Sequence, residues 1–273
     1  MNNYISIRFE GVPKEQQEIL IAQLSELNFE GFEEGPRYLT AFIPESLLQE
    51  EALQQLVEQG SYTTSRETIA QKNWNEEWEK NFSPVIINNF CAIRAHFHEP
   101  VTDVPYEIVI TPKMSFGTGH HPTTALMVEY MQQTTFTDET VLDFGTGTGV
   151  LAILAEKLGA VAVTAIDNDD WSIENAQENV QINQCKKIAV YKADTLQMID
   201  KYDIILANIN KHVLLANMHT IQQHLAPGGV ILMSGLLAGD RKDIEECAMK
   251  EGLRLVDLKQ MEGWIALNLT HIL

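Results

Sequence analysis

The chain has 273 residues, of which 45% are hydrophobic, so it is long enough for one large or two modest domains with packed cores. Its 38 acidic and 19 basic residues give a formal net charge of −19, which disfavours direct nucleic-acid binding and favours a basic partner protein. The three cysteines form no Cys-x-x-Cys pair, so the sequence predicts neither disulfides nor a metal site and indicates a reducing, cytoplasmic compartment. We also expect a monomer with no signal peptide and no membrane-spanning segment.

The first 70 residues are predicted to form a small domain of their own. Apolar residues alternate in its strand-like stretches and recur every three or four positions in its helix-like ones. The predicted elements are a strand at 4–9, a helix from Pro13, strands at 29–32 and 37–43, a helix capped by Ser46 and ended by Gly60, and a strand at 62–69. This βαββαβ order is typical of a ferredoxin-like α+β domain. Because no catalytic pattern occurs in it, we expect this domain to recognise a substrate.

Residues 71–82 are predicted to form a linker helix. Trp74 and Trp78 lie four residues apart on one face of that helix, where both indoles can pack against a neighbouring domain. The large domain, residues 83–273, opens with a predicted hairpin at 85–97, turned at Asn88-Asn89, and a strand at 106–111.

From residue 138 onward, strand-like and helix-like stretches alternate. Predicted strands lie at 140–144, 162–166, 188–191, 204–207 and 230–234, and predicted helices at 150–158, 171–182, 212–224 and 241–251. Such alternation is typical of an α/β fold with a parallel sheet covered on both faces. The stretches at 253–258 and 264–269 are predicted to close this sheet as an antiparallel pair.

A glycine turn connects the first of these strands to the following helix. Residues 141–149 read Val-Leu-Asp-Phe-Gly-Thr-Gly-Thr-Gly, and the third glycine of the dinucleotide fingerprint is replaced by Val150. The spacing Asp-x-Gly-x-Gly-x-Gly instead resembles the first motif of the Rossmann-like methyltransferases that bind S-adenosylmethionine (SAM). We therefore assign Asp143, Gly145 and Gly147 to a cofactor site, the alternative being a turn needed only for packing.

Acidic side chains follow the next two strands, and ligands of open α/β sheets bind beyond the carboxyl ends of strands. Asp167 ends the second strand, where its carboxylate can accept hydrogen bonds from both hydroxyls of a ribose. Alternatively it caps the following helix, a task that Asn168 or Asp170 can also perform. Asp194 follows the third strand and can accept a hydrogen bond from an adenine amino group or cap a turn.

The fourth strand ends at Asn208, which brings an amide into the expected crevice. Its carbonyl can accept a hydrogen bond from a substrate nitrogen and direct the lone pair of that nitrogen at a methyl donor. The alternative is a helix cap, for which either Asn208 or Asn210 is suited. Many nitrogen methyltransferases have Asn-Pro-Pro-Tyr here, whereas this chain has Asn-Ile-Asn-Lys, so their glutamine or adenine specificity is not predicted.

Residues 114–124 combine two glycines, two histidines and several hydroxyls in a loop that can fold over a cofactor. His120 and His121 are adjacent, so their side chains diverge and we predict no metal site. Thr124 or Thr123 can bond the amino-acid part of a cofactor, or cap the helix that follows.

Three of these stretches together resemble one family. Phe-Gly-Thr-Gly-His-His-Pro-Thr-Thr at 116–124, Leu-Asp-Phe-Gly-Thr-Gly-Thr-Gly at 142–149 and Ala-Asn-Ile at 207–209 are similar to the methyltransferases of large-subunit ribosomal protein eleven. The likeness covers nearly the whole chain. It implies a seven-stranded, Rossmann-like, SAM-dependent methyltransferase domain that follows a small ferredoxin-like domain.

The resemblance also implies an activity, which is SAM-dependent methylation of lysine ε-amines and the N-terminal α-amine of that basic ribosomal protein. The residues that it assigns to SAM or to the reacting amine are Thr124, Gly145, Asp167 and Asn208, with Asn208 catalytic and Phe116 in a mobile loop over the cofactor. The open alternatives are a SAM-dependent methyltransferase of a small molecule or of another protein, and a nucleotide-sensing protein without turnover.

Overall fold

The computed structural model describes residues 3–69, 82–113, 117–193 and 201–272. The chain divides into two compact units, Met1–Lys80 and Asn81–Leu273, and each has its own hydrophobic core. The linker helix predicted around Trp74 and Trp78 lies outside the described residues. In the described parts of the chain, no helix combines the length and the apolar composition that a membrane crossing needs.

The first unit has the predicted βαββαβ order. Its elements are β1 (Tyr4–Glu10), α1 (Lys14–Glu26), β2 (Gly31–Glu34), β3 (Tyr38–Pro44), α2 (Glu50–Gly60) and β4 (Thr63–Ile69). The strands form one antiparallel sheet in the order β2-β3-β1-β4, which is the ferredoxin-like arrangement. Alternate residues of β1, Ile5 and Phe9 among them, are fully buried in a core with Leu20 and Leu24 of α1.

The second helix of this unit begins later than predicted. Ser46 does not cap it, because residues Glu45–Leu47 form a separate 3-10 turn closed by a bond from the Leu48 amide to the Glu45 carbonyl. The backbone is extended at Leu48, whose side chain packs against the core before α2 starts at Glu50. The helix also continues through Gly60, and the left-handed residue that ends it is Ser61, with a φ of 51°.

The second unit starts with a small sheet of three strands, β5 (Val85–Ile87), β6 (Cys91–Ala95) and β7 (Tyr106–Ile110). The predicted hairpin turn is present, and both of its residues, Asn88 and Asn89, have positive φ values of 51° and 49°. β7 then pairs with β6 in parallel. The helix α3 (Pro122–Gln133) follows.

The alternating region forms one sheet of seven strands. Its elements are β8 (Thr140–Phe144), α4 (Val150–Lys157), β9 (Ala162–Asp167), α5 (Asp170–Ile182), β10 (Ile188–Lys192), β11 (Tyr202–Asn208), α6 (Lys211–Gln223), β12 (Leu225–Leu237), α7 (Arg241–Lys250), β13 (Leu253–Met261) and β14 (Trp264–His271). The strand order is β10-β9-β8-β11-β12-β14-β13. The first five strands are parallel, and β14 pairs antiparallel with both β12 and β13, as predicted.

This strand order determines where a ligand can bind. The chain moves outward from β8 through β9 to β10, then returns to the other side of β8 with β11. The order therefore reverses between β8 and β11, and a crevice opens at such a switch point beyond the carboxyl ends of the strands. Separate hydrophobic clusters cover the sheet, so the strands themselves are buried.

Candidate functional site

A cavity of about 670 Å³ lies at the predicted switch point. It is lined by the glycine turn, the ends of β9 and β11, the first turns of α3, α5 and α6, and Trp264 of β14. This volume is typical of sites for cofactor-sized ligands. The sequence elements that predict a site thus converge on one space.

The glycine turn takes a backbone path that requires glycine. Gly145, Gly147 and Gly149 all have positive φ, at 78°, 54° and 81°. A Cβ atom on Gly145 would also lie 2.2 Å from Cγ2 of Ile209, so the turn packs closely against the segment after β11. The Gly145 amide donates to the Ile166 carbonyl at 2.9 Å, which anchors the turn to the end of β9.

Asp143 lies behind this turn and does not line the cavity. Its side chain is 1% exposed, and Oδ2 accepts hydrogen bonds from Oγ1 of Thr146 at 2.6 Å and from the Ala152 amide at 3.2 Å. Burial raises the pKa of this carboxyl to about 6, because the two hydrogen bonds only partly offset the loss of hydration. Asp143 therefore acts on the site indirectly, by joining the turn to α4.

Asp167 lines the cavity and also holds the turn. Its Oδ2 accepts from the Gly147 amide at 2.9 Å, and its Oδ1 accepts from the Asp169 amide at 3.1 Å. The cap of α5 is Asp169, whose carboxylate accepts from the Ser172 amide at 3.0 Å. The alternative in which Asp167 caps the helix is thus excluded, and so are caps by Asn168 and Asp170.

The two asparagines around the end of β11 have different environments. Asn210 is the cap of α6, and its Oδ1 accepts from the Val213 amide at 3.1 Å. Asn208 lines the cavity, and its side-chain amide makes no hydrogen bond within the part of the chain that the structure describes. Its polar atoms are therefore available to a ligand.

Lys211 is held away from the cavity by two carboxylates. Its Nζ lies 2.6 Å from Oδ2 of Asp243 and 3.0 Å from Oδ1 of Asp240. Both contacts raise the pKa of Lys211, and the hydrogen bond to Asp243 contributes more than the hydrogen bond to Asp240. These contacts also offset the unfavourable position of a cation in the first turn of a helix.

The start of α3 forms the opposite wall. His121 is the cap, since its Nδ1 accepts from the Thr123 amide at 3.3 Å, so neither threonine has that role. Thr124 is 3% exposed and lines the cavity, with a hydroxyl that bonds to no other described residue. The His121 ring also meets Trp264 edge-on, with ring centroids 4.4 Å apart.

Two of these wall residues, His121 and Trp264, were not assigned to the site from the sequence. Pro122 at the first helical position is a signal that would have pointed to His121 as the cap. Trp264 lies at the start of a distant strand, and nothing in its local sequence links it to the cavity. Phe116 and Asp194, which the sequence also assigns to the site, lie outside the described residues.

The raised pKa of Asp143 predicts a pH dependence. The unfolded chain ionises this carboxyl near pH 4, whereas the folded protein keeps it protonated to about pH 6, so its contribution to stability is lost as the pH rises through 6. The free energy of unfolding of the wild type, minus that of Asp143→Asn, should fall by about 1 kcal/mol between pH 5 and pH 8. Urea unfolding at several pH values measures this difference, and parallel curves for the two proteins would contradict it.

Comparison with known proteins identifies the family. The family model for ribosomal protein L11 methyltransferase (PrmA) matches residues 12–271. A ribosomal protein L11 methyltransferase of Porphyromonas gingivalis is 42% identical over 261 residues, which cover 93% of this chain and 90% of the relative. One from Bacteroides thetaiotaomicron is 38% identical over 262 residues, covering 93% and 94%.

A solved structure supports the same assignment. The crystal structure of a ribosomal protein L11 methylase from Lactobacillus delbrueckii subsp. bulgaricus aligns with a TM-score of 0.63 and 32% identity, and the alignment covers 68% of this chain and 97% of that chain. The fold, the family model and the relatives agree. This chain belongs to the ribosomal protein L11 methyltransferase family.

Proposed function

We propose that this protein transfers methyl groups from SAM to amino groups of ribosomal protein L11, the lysine ε-amines and the N-terminal α-amine. The main support is the side-chain amide of Asn208, which lines the cavity at the switch point and bonds to no other described residue, in a chain that the family model matches almost throughout. The substrate is a ribosomal protein, so the reaction takes place in the cytoplasm. The relatives carry the name of the same substrate.

The residues around the cavity fit SAM. The Asp167 carboxylate suits the two ribose hydroxyls, while the Thr124 hydroxyl suits the polar amino-acid part. Between them, the turn at Gly145 and Gly147 lets the backbone approach a ligand without the obstruction of a Cβ atom. We further propose that Asp194 accepts from the adenine and that Phe116 covers the cofactor.

The protein has to present a neutral amine in line with the methyl group. At pH 7, deprotonation costs about 4.6 kcal/mol for a lysine with a pKa of 10.4, and about 1 kcal/mol for an α-amine near 7.8. SAM supplies an electrophilic methyl group on a sulfonium, so placement of the amine accounts for most of the catalysis. Asn208 accepts a hydrogen bond from the amine through its carbonyl and thereby aims the nitrogen lone pair. After the methyl group is transferred, the product amine releases its proton to water.

Replacing Asn208 tests this role and the substrate together. Asn208→Ala should lower the methylation rate of purified L11 by about 100-fold at saturating SAM, because the amine is no longer aligned. Incorporation of labelled methyl groups into L11, with mass spectrometry of the product, measures the rate. Asn217→Ala is the matched control, since Asn217 is half-buried on α6, the helix that follows β11, does not line the cavity, and among the described residues its side chain bonds to the Val213 carbonyl.

Two outcomes would contradict the proposal. Wild-type turnover by Asn208→Ala would remove the role of Asn208. Methylation of other proteins or of metabolites, with no transfer to L11, would contradict the proposed substrate.

Replacing Asp167 tests the cofactor site. Asp167→Asn keeps an oxygen for the Gly147 amide but loses the charge, so SAM should bind about 10- to 100-fold more weakly. Calorimetry with SAM measures the affinity. Asp170→Asn is the control, because Asp170 is an exposed neighbour that pairs with Lys192 outside the cavity. Equal SAM affinities for the two variants would argue against ribose binding by Asp167.

We also propose that the first unit docks the substrate. Residues 3–69 contain twelve glutamates and four basic residues, a balance that attracts a basic ribosomal protein and speeds its association at low salt. The second unit, with its own cores, contains the whole cavity. The two tasks are therefore divided between the units.

Deletion of residues 1–70 separates these tasks. The shortened protein should bind SAM with wild-type affinity because its cavity is unchanged, while methylation of L11 should be lost. Calorimetry measures the first quantity, and the methyl-transfer assay measures the second. Full methylation of L11 by the shortened protein would exclude the docking role.

A further inference from the structure

Two asparagines of α5, together with the asparagine that caps its C-terminal end, bind the backbone at the end of β7. Asn175, Asn179 and Asn183 are four residues apart and so lie on one face of the helix. The Asn183 amide pairs with both the N–H and the C=O of Val109, at 3.0 and 2.6 Å. Asn179 accepts from the Thr111 amide at 2.8 Å, and Asn175 donates to the Thr111 carbonyl at 3.0 Å. This asparagine row thus takes the place of a neighbouring strand.

Asn179 makes one contact that the other two asparagines do not make. Its Nδ2 donates to the carbonyl of Thr148, inside the glycine turn, at 2.8 Å. The hydroxyl of Thr148 in turn donates to the carbonyl of Gly117 at 2.6 Å. Thr148 and Gly117 line the cavity, whereas Asn179 does not. One amide therefore connects the end of β7 to two segments of the cavity wall.

Water cannot replace this amide. Both Asn179 and Thr148 are 0% exposed, so a lost donor leaves the Thr148 carbonyl unsatisfied or forces the turn to move. The fit at Gly117 is also tight, since a Cβ atom there would lie 2.8 Å from Oγ1 of Thr148. A shift of the turn is thus transmitted to the Gly117 segment.

We propose that Asn179 is a positioning residue for cofactor binding. It holds the Thr148 carbonyl and, through Thr148, sets the spacing between the glycine turn and the segment at Gly117. The inference rests on the proposed function, in which this cavity holds SAM. It adds a residue that touches neither the cofactor nor the substrate.

The asparagine row supplies its own control. Asn179→Asp keeps the oxygen that accepts from Thr111 but turns an oxygen toward the Thr148 carbonyl. Asn183→Asp removes an equivalent donor, which serves the Val109 carbonyl and the helix itself and makes no contact with the turn. Both substitutions thus damage the same helix against the same strand, and only one reaches the cavity wall.

SAM affinity by calorimetry and the midpoint of thermal unfolding are measured for both full-length variants. We expect both midpoints to fall, and that of Asn179→Asp to fall further, because Asn179 is fully buried and Asn183 is only partly buried. The Kd and KM for SAM should rise about tenfold or more for Asn179→Asp, with a smaller change in kcat, and should stay within about twofold of the wild type for Asn183→Asp. Unchanged affinity in Asn179→Asp, or an equal loss in both variants, would overturn the inference.

A second variant applies if Asn179→Asp does not fold. Thr148→Val keeps the carbonyl that Asn179 binds and removes the hydroxyl that reaches Gly117, so the Kd for SAM should rise about fivefold or more. Wild-type affinity in this variant would also overturn the inference. A wild-type protein that binds no SAM would defeat the proposed function, whereas wild-type binding with no change in the variants would defeat the positioning role alone.

Discussion

The hydrogen bond from the Gly147 amide to the Asp167 carboxylate is the contact on which the cavity geometry depends. It joins the turn after β8 to the end of β9, the two edges between which a nucleoside would lie. The backbone can present that amide only because the glycines of the turn have positive φ. The buried carboxylate of Asp143 supports the same turn from behind. Backbone conformation and two acids therefore define the site together.

The ends of β9 and β11 share one arrangement. In Asp167-Asn-Asp169 and in Asn208-Ile-Asn210, the third residue of the stretch caps the next helix. Capping two positions later satisfies the helix amides and leaves the residue at the strand end beside the cavity. The same local solution thus supplies a carboxylate on one strand and an amide on the other. Both groups line the same cavity.

The sequence predicts the order of the elements and the glycine turn because these depend on local patterns. It does not identify the cap of α5, which is Asp169 and none of the three candidates Asp167, Asn168 and Asp170. Nor does it decide between Asn208 and Asn210, because either side chain can cap and only the path of the chain selects one. Trp264 was missed since its partner His121 is far away in sequence. The buried asparagines of α5 also escape prediction, because in a sequence they resemble the polar face of an exposed helix.

The asparagine row also covers an edge of the three-stranded sheet. A strand at the edge of a sheet normally exposes amides and carbonyls on which a second chain can add a strand of its own. At Val109 and Thr111 those groups are already bound by side chains of α5. Detachment of α5 would expose these amides and carbonyls, so the packing of this helix also shields the edge of the small sheet from pairing with a second chain.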